Sequence, residues 1–201
     1  MTSEETHDEI MQATYDALCD RGYVGLTMAD IADGAGKSKS LLHYHYDTKA
    51  DLLVSFIEHL LSDFEERIAV TVDAPPEERL LSFVEWFVID PDEDDRAAFH
   101  LALLELRAQG AFNEAFSEQL RASDELLRGT VESILREGIE SGAFRDVDVE
   151  ATAAWIIATV DGARTRQITL RTDWYTDAVC HHLIDVFETW LFVEDNERGG
   201  Q

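Results

Sequence analysis

The stretch "GAGKSKSLLHYHY", Gly34–Tyr46, contains no carboxylate, although the whole chain carries 42 Asp and Glu against 16 Lys and Arg. All three lysines of the chain lie in or beside this stretch, at Lys37, Lys39 and Lys49. A short segment cleared of negative charge in so acidic a chain predicts a surface that meets an anionic partner.

The residues around this stretch have the pattern of two short helices joined by a tight turn. Thr27 and Asp30 have capping-box spacing, in which a hydroxyl accepts from the N–H three residues on and an acid reaches back. They predict a helix of about two turns that ends at Gly36, and Ser38 predicts a second helix that runs to about Tyr44. Two short helices at a steep angle form a helix-turn-helix unit. The residues predicted to fill the angle are Ile31, Ala32, Ala35 and Leu42.

The rest of the chain repeats its apolar residues with the helical period. A second capping pair, Thr48 and Asp51, precedes the longest apolar stripe, which runs from Leu52 to Ile68. Breaks fall at the prolines of 75–76, at the acidic run 90–95, at Gly110 and at Gly142. No run of alternating β-branched residues lies between hairpin turns, so the sequence predicts an all-α fold.

We expect about nine helices in two domains. Residues 1–47 are predicted to form a three-helix domain that contains the helix-turn-helix, and residues 48–201 a larger helical domain.

The formal net charge of −26 disfavours nonspecific attraction of the protein to nucleic acid or to an anionic membrane. In about 1 M salt the Debye length is only about 3 Å, so abundant surface carboxylates are tolerated and keep a protein soluble. Few lysines and many acids are therefore typical of a protein from a salt-accumulating halophile.

The sequence also predicts a soluble, cytoplasmic protein. Cys19 and Cys180 both lie in helical apolar patterns far apart in the chain, which disfavours a disulfide framework. The first ten residues are acidic, unlike a secretory signal, and no apolar run reaches the length of a membrane span.

The segment "SLLHYHYDTKADLL", Ser40–Leu53, resembles the signature of the TetR/AcrR family of transcriptional regulators, and the similarity extends back to about Ile10. The resemblance implies a sequence-specific DNA-binding regulator, most often a repressor, whose second short helix enters the major groove. DNA carries one negative charge per roughly 1.7 Å of axis, which explains why a docking helix excludes acids. The residues predicted to bind DNA are Thr27, Lys37, Ser38, Lys39, Ser40, His43, Tyr44, His45 and Lys49.

The family pattern also implies individual roles for these residues. Lys39 and Ser40 take base-facing positions, Tyr44 and His45 lie close to the phosphates and the groove edge, and Lys49 neutralises a phosphate at the start of the fourth helix. Thr27 lies where the end of the preceding helix meets a backbone phosphate. Two residues depart from the pattern: His43 replaces a tyrosine that contacts phosphate, and Lys37 replaces a packing valine and is predicted to add a phosphate contact.

The segment "ESGAFRDVDVEATAAWIIATVDGA", Glu140–Ala163, resembles the approach to the eighth helix of the family. The resemblance implies a homodimer in which helices 149–170 and 173–191 pair with their copies. Such a dimer would bind a palindromic double-stranded operator with half-sites roughly 34 to 36 Å apart. The interface candidates are Ala153, Ala154, Ala158, Leu183, Phe187 and Trp190. An ordinary monomer core is the open alternative for them.

The middle helices are predicted to enclose a pocket for a small hydrophobic effector, because such sites are mainly apolar with few polar groups. His100 is a candidate for orienting the ligand. The alternative is that these residues are plain core and that His100 is a satisfied histidine. The pocket candidates are Phe83, Trp86, Phe87, Phe99, His100, Leu103, Phe112, Phe116 and Trp155. We expect the effector to tilt the fourth helix and so to change the spacing of the recognition helices.

No phosphate loop, dinucleotide fingerprint or nucleophile elbow occurs in the sequence. Cys180, His181 and His182 are neighbours on a helix and point about 100° apart, so they cannot chelate a metal together without ligands from elsewhere. We therefore predict no catalytic residue, no metal and no cofactor. Two alternatives are an all-α ligand- or protein-binding module without DNA binding, and an enzyme that uses the aromatic pocket.

Overall fold

Nine α-helices are present in the part of the chain that this computed structural model describes, which comprises residues 3–70, 73–86 and 94–193. Within these ranges the only β-type pairing is one isolated antiparallel bridge between Phe144 and Phe192. The predicted all-α fold of about nine helices is therefore confirmed. The helices are α1 (Ser3–Gly25), α2 (Met28–Gly34), α3 (Lys39–His45), α4 (Lys49–Val70), α5 (Pro76–Glu85), α6 (Asp94–Gln109), α7 (Glu114–Glu140), α8 (Val149–Leu170) and α9 (Tyr175–Val186).

The chain divides into two compact units. The first lies within Met1–Arg67 and Asp92–Ser123, and the second within Ile68–Pro91 and Asp124–Gln201. In the first unit α1 packs against α2 and α6, and α2 packs against α3. The compact unit that contains the helix-turn-helix thus also contains α6, and it does not end at residue 47. The functional boundary that we expect after residue 47 stays a prediction.

Helix α1 is broken near its end by Gly22, whose φ of 64° and ψ of 175° are not helical. The sequence analysis did not anticipate this break. Beyond it, the N–H of Leu26 donates to the carbonyl of Gly22 at 3.2 Å, and the buried side chain of Leu26 joins the core of the first unit. The break therefore turns the chain toward α2, and glycine suits it because a positive φ costs glycine little.

In the second unit α8 packs against α9 and α5 packs against α9. Asp148 caps α8 by accepting from the N–H of Ala151 at 3.0 Å, and α8 ends where Arg171 adopts a left-handed φ of 53°. The helix predicted over 149–170 is confirmed at both bounds. Seven residues of α8 are buried and hold it in the unit: Thr152, Ala153, Ile156, Ile157, Val160, Ala163 and Gln167.

A π-helical turn, Phe187–Leu191, continues α9. Its widened winding lets the N–H of Phe192 donate to the carbonyl of Phe187 at 2.8 Å. Phe187 and Leu191 are fully buried, while Trp190 is 45% exposed. The predicted helix over 173–191 therefore begins two residues later than expected and ends in a different winding.

Neither cysteine forms a disulfide, as the sequence predicted; Cys180 is buried and Cys19 is half-buried. Among the described residues no helix combines the length and apolar character that a bilayer span needs.

Candidate nucleic-acid interface

The α2–turn–α3 segment forms as its capping residues predict. Thr27 Oγ1 accepts from the N–H of Asp30 at 3.3 Å, and an Asp30 carboxylate oxygen accepts from the N–H of Thr27 at 3.0 Å. Ser38 Oγ accepts from the N–H of Leu41 at 3.2 Å and starts α3. Between the helices Gly36 has a φ of 63°. Both predicted capping residues are therefore confirmed.

The angle between α2 and α3 is filled by apolar side chains. Ile31, Ala32 and Leu42 are each at most 1% exposed, and Ala35 is half-buried. The N–H of Lys37 donates to the carbonyl of Ala32 at 2.9 Å, which fixes the turn. The residues predicted to fill this angle therefore do so.

One face of α3 is exposed and free of acids. The exposed residues of α3 are Lys39, Ser40, His43, Tyr44 and His45, and Ser38 before it is also exposed. Tyr44 is 83% exposed and meets the His45 ring edge to face, with ring centroids 5.3 Å apart. Since no Asp or Glu lies within residues 34–46, this face presents donors and aromatic edges without a negative charge of its own.

Lys37 does not share this exposed face. Its Nζ lies 2.5 Å from Oε2 of Glu9 in α1, and its side chain is only 9% exposed. The expected phosphate contact would require the ammonium to leave a carboxylate partner and a mostly buried position. The structure therefore gives Lys37 a contact within the protein that the sequence analysis did not foresee.

Lys49 lies at the start of α4 and holds the broken end of α1. Its Nζ donates to the carbonyls of Tyr23 at 2.8 Å and of Leu26 at 3.0 Å, and it lies 4.3 Å from the centroid of the Tyr23 ring. Burial lowers the pKa of the Lys49 ammonium, while the carboxylate of Glu105 acts in the opposite direction. An ammonium has three N–H donors, and these two carbonyls accept from two of them.

Thr27 is occupied by its own capping box. Its hydroxyl donates to Asp30 at 2.6 Å, and this hydrogen bond is the largest cause that lowers the pKa of Asp30. Arg21 lies 3.2 Å from the same carboxyl group and adds to the lowering. The negative charge at the start of α2 is thus offset by Arg21, and the role of Thr27 toward phosphate stays a prediction.

The predicted dimer residues fall into two groups in the structure. Ala153, Leu183 and Phe187 are at most 2% exposed and pack inside the second unit. A side chain that its own unit already buries cannot present area to a second copy, so for these three residues the core alternative is the better description. Ala154, Ala158 and Trp190 are exposed and stay candidates.

The predicted effector residues do not gather in one unit. Phe83 is buried and Trp86 half-buried in the second unit, where Trp155 is 42% exposed, and Phe87 lies outside the described residues. In the first unit Phe99 and Phe116 belong to one packed core, Leu103 packs against it, His100 is half-buried, and Phe112 is 88% exposed. Side chains as exposed as Phe112 do not line an enclosed cavity of their own unit. The pocket stays a prediction.

A shallow groove of about 490 Å³ lies beside α1 and α2 in the first unit. It contains none of the predicted effector residues, and its charged residues are Asp16, Asp20, Arg21 and Asp30. Such a polar lining does not match the expected apolar site.

Three residues at this interface were not expected from the sequence: His7 and Glu9 on α1, and Glu105 on α6. His7 Nδ1 lies 3.2 Å from the hydroxyl of Tyr46, which follows α3. Glu105 accepts from the N–H of Tyr23 at 2.6 Å. Their partners are distant in sequence, so no local spacing could have indicated these contacts.

Family models match both parts of the chain. Residues 10–56 match the model described as "Bacterial regulatory proteins, tetR family", and residues 76–188 match the model of the C-terminal region of BetI-type transcriptional repressors. The chain belongs to the TetR family. It is a DNA-binding transcriptional regulator, as the sequence analysis predicted, and the family consists of regulators rather than enzymes.

This TetR-family regulator is similar to one solved structure and to two curated proteins, all of which are described as transcriptional regulators or repressors. A TetR transcription regulator from Haloarcula marismortui is 37% identical, with a TM-score of 0.84, and the match covers 94% of this chain and 99% of that one. The transcriptional repressor KstR2 of Rhodococcus jostii is 28% identical over 71% of this chain and 70% of its own length. The regulator BetI of Rhizobium meliloti is 28% identical over 79% of this chain and 75% of its own. The first of these relatives comes from a halophile, which agrees with the salt-adapted composition.

Proposed function

We propose that two copies of this regulator bind a palindromic operator in the cytoplasm through α3, repress transcription, and respond to a small hydrophobic effector without any catalytic step. The observation that carries the proposal is the exposed, acid-free face of α3 in a chain of formal charge −26. An anionic protein can approach DNA only where its own carboxylates are absent.

On this face Lys39 and Ser40 start the helix and supply donors for base edges in the major groove. Tyr44 lies one turn beyond Ser40 on the same side, and His45 is exposed at the end of the helix, so an aromatic hydroxyl and an imidazole can donate to phosphate there. His43 can take the place of a tyrosine as a donor, and Ser38 and Thr27 lie at the exposed starts of α3 and α2. Lys49 would contribute its third N–H to a phosphate.

The test begins with a duplex selected from random sequence by the wild-type protein. Lys39→Glu should abolish binding to that duplex, because it places a carboxylate against phosphate. Arg121→Glu, an equal charge change at an exposed position of α7, should leave binding almost unchanged. Failure of the wild type to enrich any sequence, or full binding by Lys39→Glu, would refute the proposal.

A second copy would pack on the exposed face of α8 beside the π-helical turn. Trp155 and Trp190 meet edge to face with ring centroids 6.3 Å apart, and both remain more than two-fifths exposed. Ala154 and Ala158 on α8 are small and exposed, and residues 151–160 contain no acid. Large aromatic anchors beside small residues suit close helix packing, and a face without acids avoids repulsion between two anionic chains.

Sedimentation analysis in about 1 M KCl, where charge repulsion is screened, tests this part. Trp155→Glu and Trp190→Glu should each yield monomers, because they bury a carboxylate against an apolar partner. Phe112→Glu, a matched change at an exposed aromatic residue of the first unit, should remain dimeric. Monomeric wild-type protein, or dimers in both tryptophan variants, would contradict the interface.

The effector proposal draws on two of the predicted residues within the second unit, because Phe83 is buried and Trp86, the C-cap residue of α5, is half-buried. Binding of the effector would tilt α4, whose first residue, Lys49, contacts the end of α1. A panel of small apolar compounds should contain one that releases the selected duplex and quenches Trp86 fluorescence. Trp86→Phe should remove the quenching and leave DNA binding intact.

A further inference from the structure

Only one side chain of α3 is buried. Leu42 is fully buried, Leu41 is half-buried, and the other five residues of this seven-residue helix are exposed. A helix held to its domain by one buried side chain can pivot about it unless its ends are fixed. The orientation of α3 must therefore depend on contacts beyond the apolar core.

An ion pair connects the N-terminal end of α3 to α1. Lys37 comes directly before the capping residue Ser38, and its Nζ lies 2.5 Å from Glu9 Oε2. The Lys37 side chain is 9% exposed and that of Glu9 is 46% exposed. A mostly buried ammonium depends on its carboxylate partner far more than an exposed one does.

The other end of α3 is tied to the same helix. Tyr46 is the C-cap residue of α3, and its hydroxyl lies 3.2 Å from Nδ1 of His7. The His7 ring in turn meets His59 of α4 edge to face, with centroids 5.7 Å apart. Both ends of α3 thus contact residues that are two positions apart in α1.

We propose that Glu9, Lys37, His7 and Tyr46 form a clamp, called the α1 clamp here, that sets the angle at which α3 enters the major groove. Lys37 is then a positioning residue that acts on DNA through α3 and touches no phosphate. The inference rests on the proposed DNA-binding function of α3. It replaces the phosphate contact that was predicted for Lys37 from its departure from the family pattern.

Salt dependence separates positioning from phosphate contact. Each phosphate contact contributes about 0.9 to the slope of log K against log salt concentration. Lys37→Met keeps the apolar stem and should weaken binding to the selected duplex about fivefold while leaving the slope unchanged. Salt screens the mostly buried pair only weakly, so its loss should not alter the slope. Lys49→Met, the same change at the lysine that is proposed to contact a phosphate, should reduce the slope by about 0.9.

Glu9→Gln should change the affinity for DNA in opposite directions, depending on whether Lys37 contacts phosphate or positions α3. If Lys37 contacts phosphate, removing Glu9 frees the ammonium and deletes a nearby negative charge, so DNA binding tightens. If Lys37 positions α3, removing Glu9 breaks the clamp and binding weakens about fivefold. Thermal unfolding under the binding conditions must show each variant fully folded, so that a change in affinity does not reflect lost protein.

Charge reversal supplies the rescue. Glu9→Lys and Lys37→Glu should each weaken binding to the selected duplex. The double variant should recover most of the lost affinity, because it restores an ion pair between positions 9 and 37. Tyr46→Phe, which removes only the hydroxyl, should weaken binding about threefold with an unchanged salt slope.

Tighter binding by Glu9→Gln, a reduced slope in Lys37→Met, or no recovery in the double variant would overturn the α1 clamp while leaving the proposed function intact. A wild-type protein that selects no duplex would overturn the proposed function, and the clamp with it.

Discussion

Glu105 on α6 accepts a hydrogen bond from the N–H of Tyr23 at 2.6 Å, although the two residues are 82 positions apart. The carbonyl of Tyr23 accepts from Nζ of Lys49 at 2.8 Å. The peptide groups that follow the break in α1 are thus held by an acid of α6 and by the first residue of α4. Any motion of α4 or α6 would strain these hydrogen bonds, and so they link both helices to the DNA-binding region.

The break itself should not tolerate a side chain. Gly22 has a φ of 64°, and a Cβ at this position would lie 3.0 Å from Glu105 Oε2. We expect Gly22→Ala to lower the free energy of unfolding by roughly 1 to 2 kcal/mol, because a left-handed conformation disfavours residues with a Cβ. Urea unfolding in KCl measures the change.

The matched control for that variant is Gly129→Ala in α7, where an added Cβ meets no atom within 4 Å. This change should raise the free energy of unfolding by about 0.5 to 1 kcal/mol, since alanine loses less conformational entropy in a helix. Equal effects at the two glycines would show that the chain is not broken at Gly22.

Asp30 should contribute to stability in a way that depends on pH. The Thr27 hydroxyl is the main cause that lowers the pKa of Asp30, so the folded state favours the ionised form. Its contribution is present above the ordinary carboxyl pKa and is lost as the pH falls through the lowered value. Asp30→Asn should therefore destabilise the protein at neutral pH, and its difference from the wild type should shrink in acid. Thermal melts across the acid range measure this difference.

Asp33→Asn, at an exposed acid of the same helix, is the control for Asp30. It should show only a small difference from the wild type at neutral pH, because its side chain is exposed. A destabilisation by Asp30→Asn that stays constant into strong acid would contradict the capping role of the carboxylate.

Cys180 should be protected from alkylation in the folded protein. Burial, with a smaller contribution from Asp177, raises the pKa of its thiol to about 11, and its Sγ lies 3.8 Å from the carbonyl of Val84. The thiolate is the reactive form, so near pH 8 the folded protein exposes almost none. With Cys19→Ser as background, iodoacetamide should modify Cys180 only as fast as the protein unfolds.

The half-buried Cys19, measured in a Cys180→Ser background, should react faster than Cys180 under the same conditions. Modification of Cys180 at the rate found in urea would show that the contact between α5 and α9 opens readily.

Gln167 caps α9 from the neighbouring helix. Its buried Oε1 accepts from the N–H of Thr176 at 2.8 Å and from the Thr176 hydroxyl at 2.9 Å. Gln167→Leu should cost about 1 to 3 kcal/mol, because it leaves buried donors unsatisfied. Thr169→Ala on the exposed side of α8 should be nearly neutral, since its hydroxyl only bonds back to the carbonyl of Thr165. A neutral Gln167→Leu in chemical denaturation would contradict the capping role.

Local signals in the sequence were sufficient for the elements that depend on local chemistry. Thr27, Ser38 and Asp148 cap their helices within a few residues of themselves. Pro75 is the N-cap residue of α5 and Pro76 is its first residue, because proline suits the first turn of a helix. The exposed face of α3 was predicted for the same reason, since an acid-free run is visible in the sequence itself.

Contacts made by the tertiary fold could not be predicted in this way. From the sequence alone Lys37 is expected to be a surface cation, because its ion pair with Glu9 forms only in the fold. Nothing in the sequence around Glu105 indicates its hydrogen bond with the N–H of Tyr23. The π-helical turn is set by the burial of Phe187 and Leu191 together with Arg145, which donates to the carbonyls of Thr189 and Trp190. Gly22 offered a usable signal, because a glycine near the end of an apolar helical pattern often marks its termination.

The single buried anchor of α3 has a consequence for how this regulator can acquire new targets. Because Leu42 alone is fully enclosed, the five exposed positions of the helix can be rewritten without disturbing the scaffold that carries them. A gene duplicate could thus change the sequence it recognises through a handful of substitutions, at almost no cost in folding.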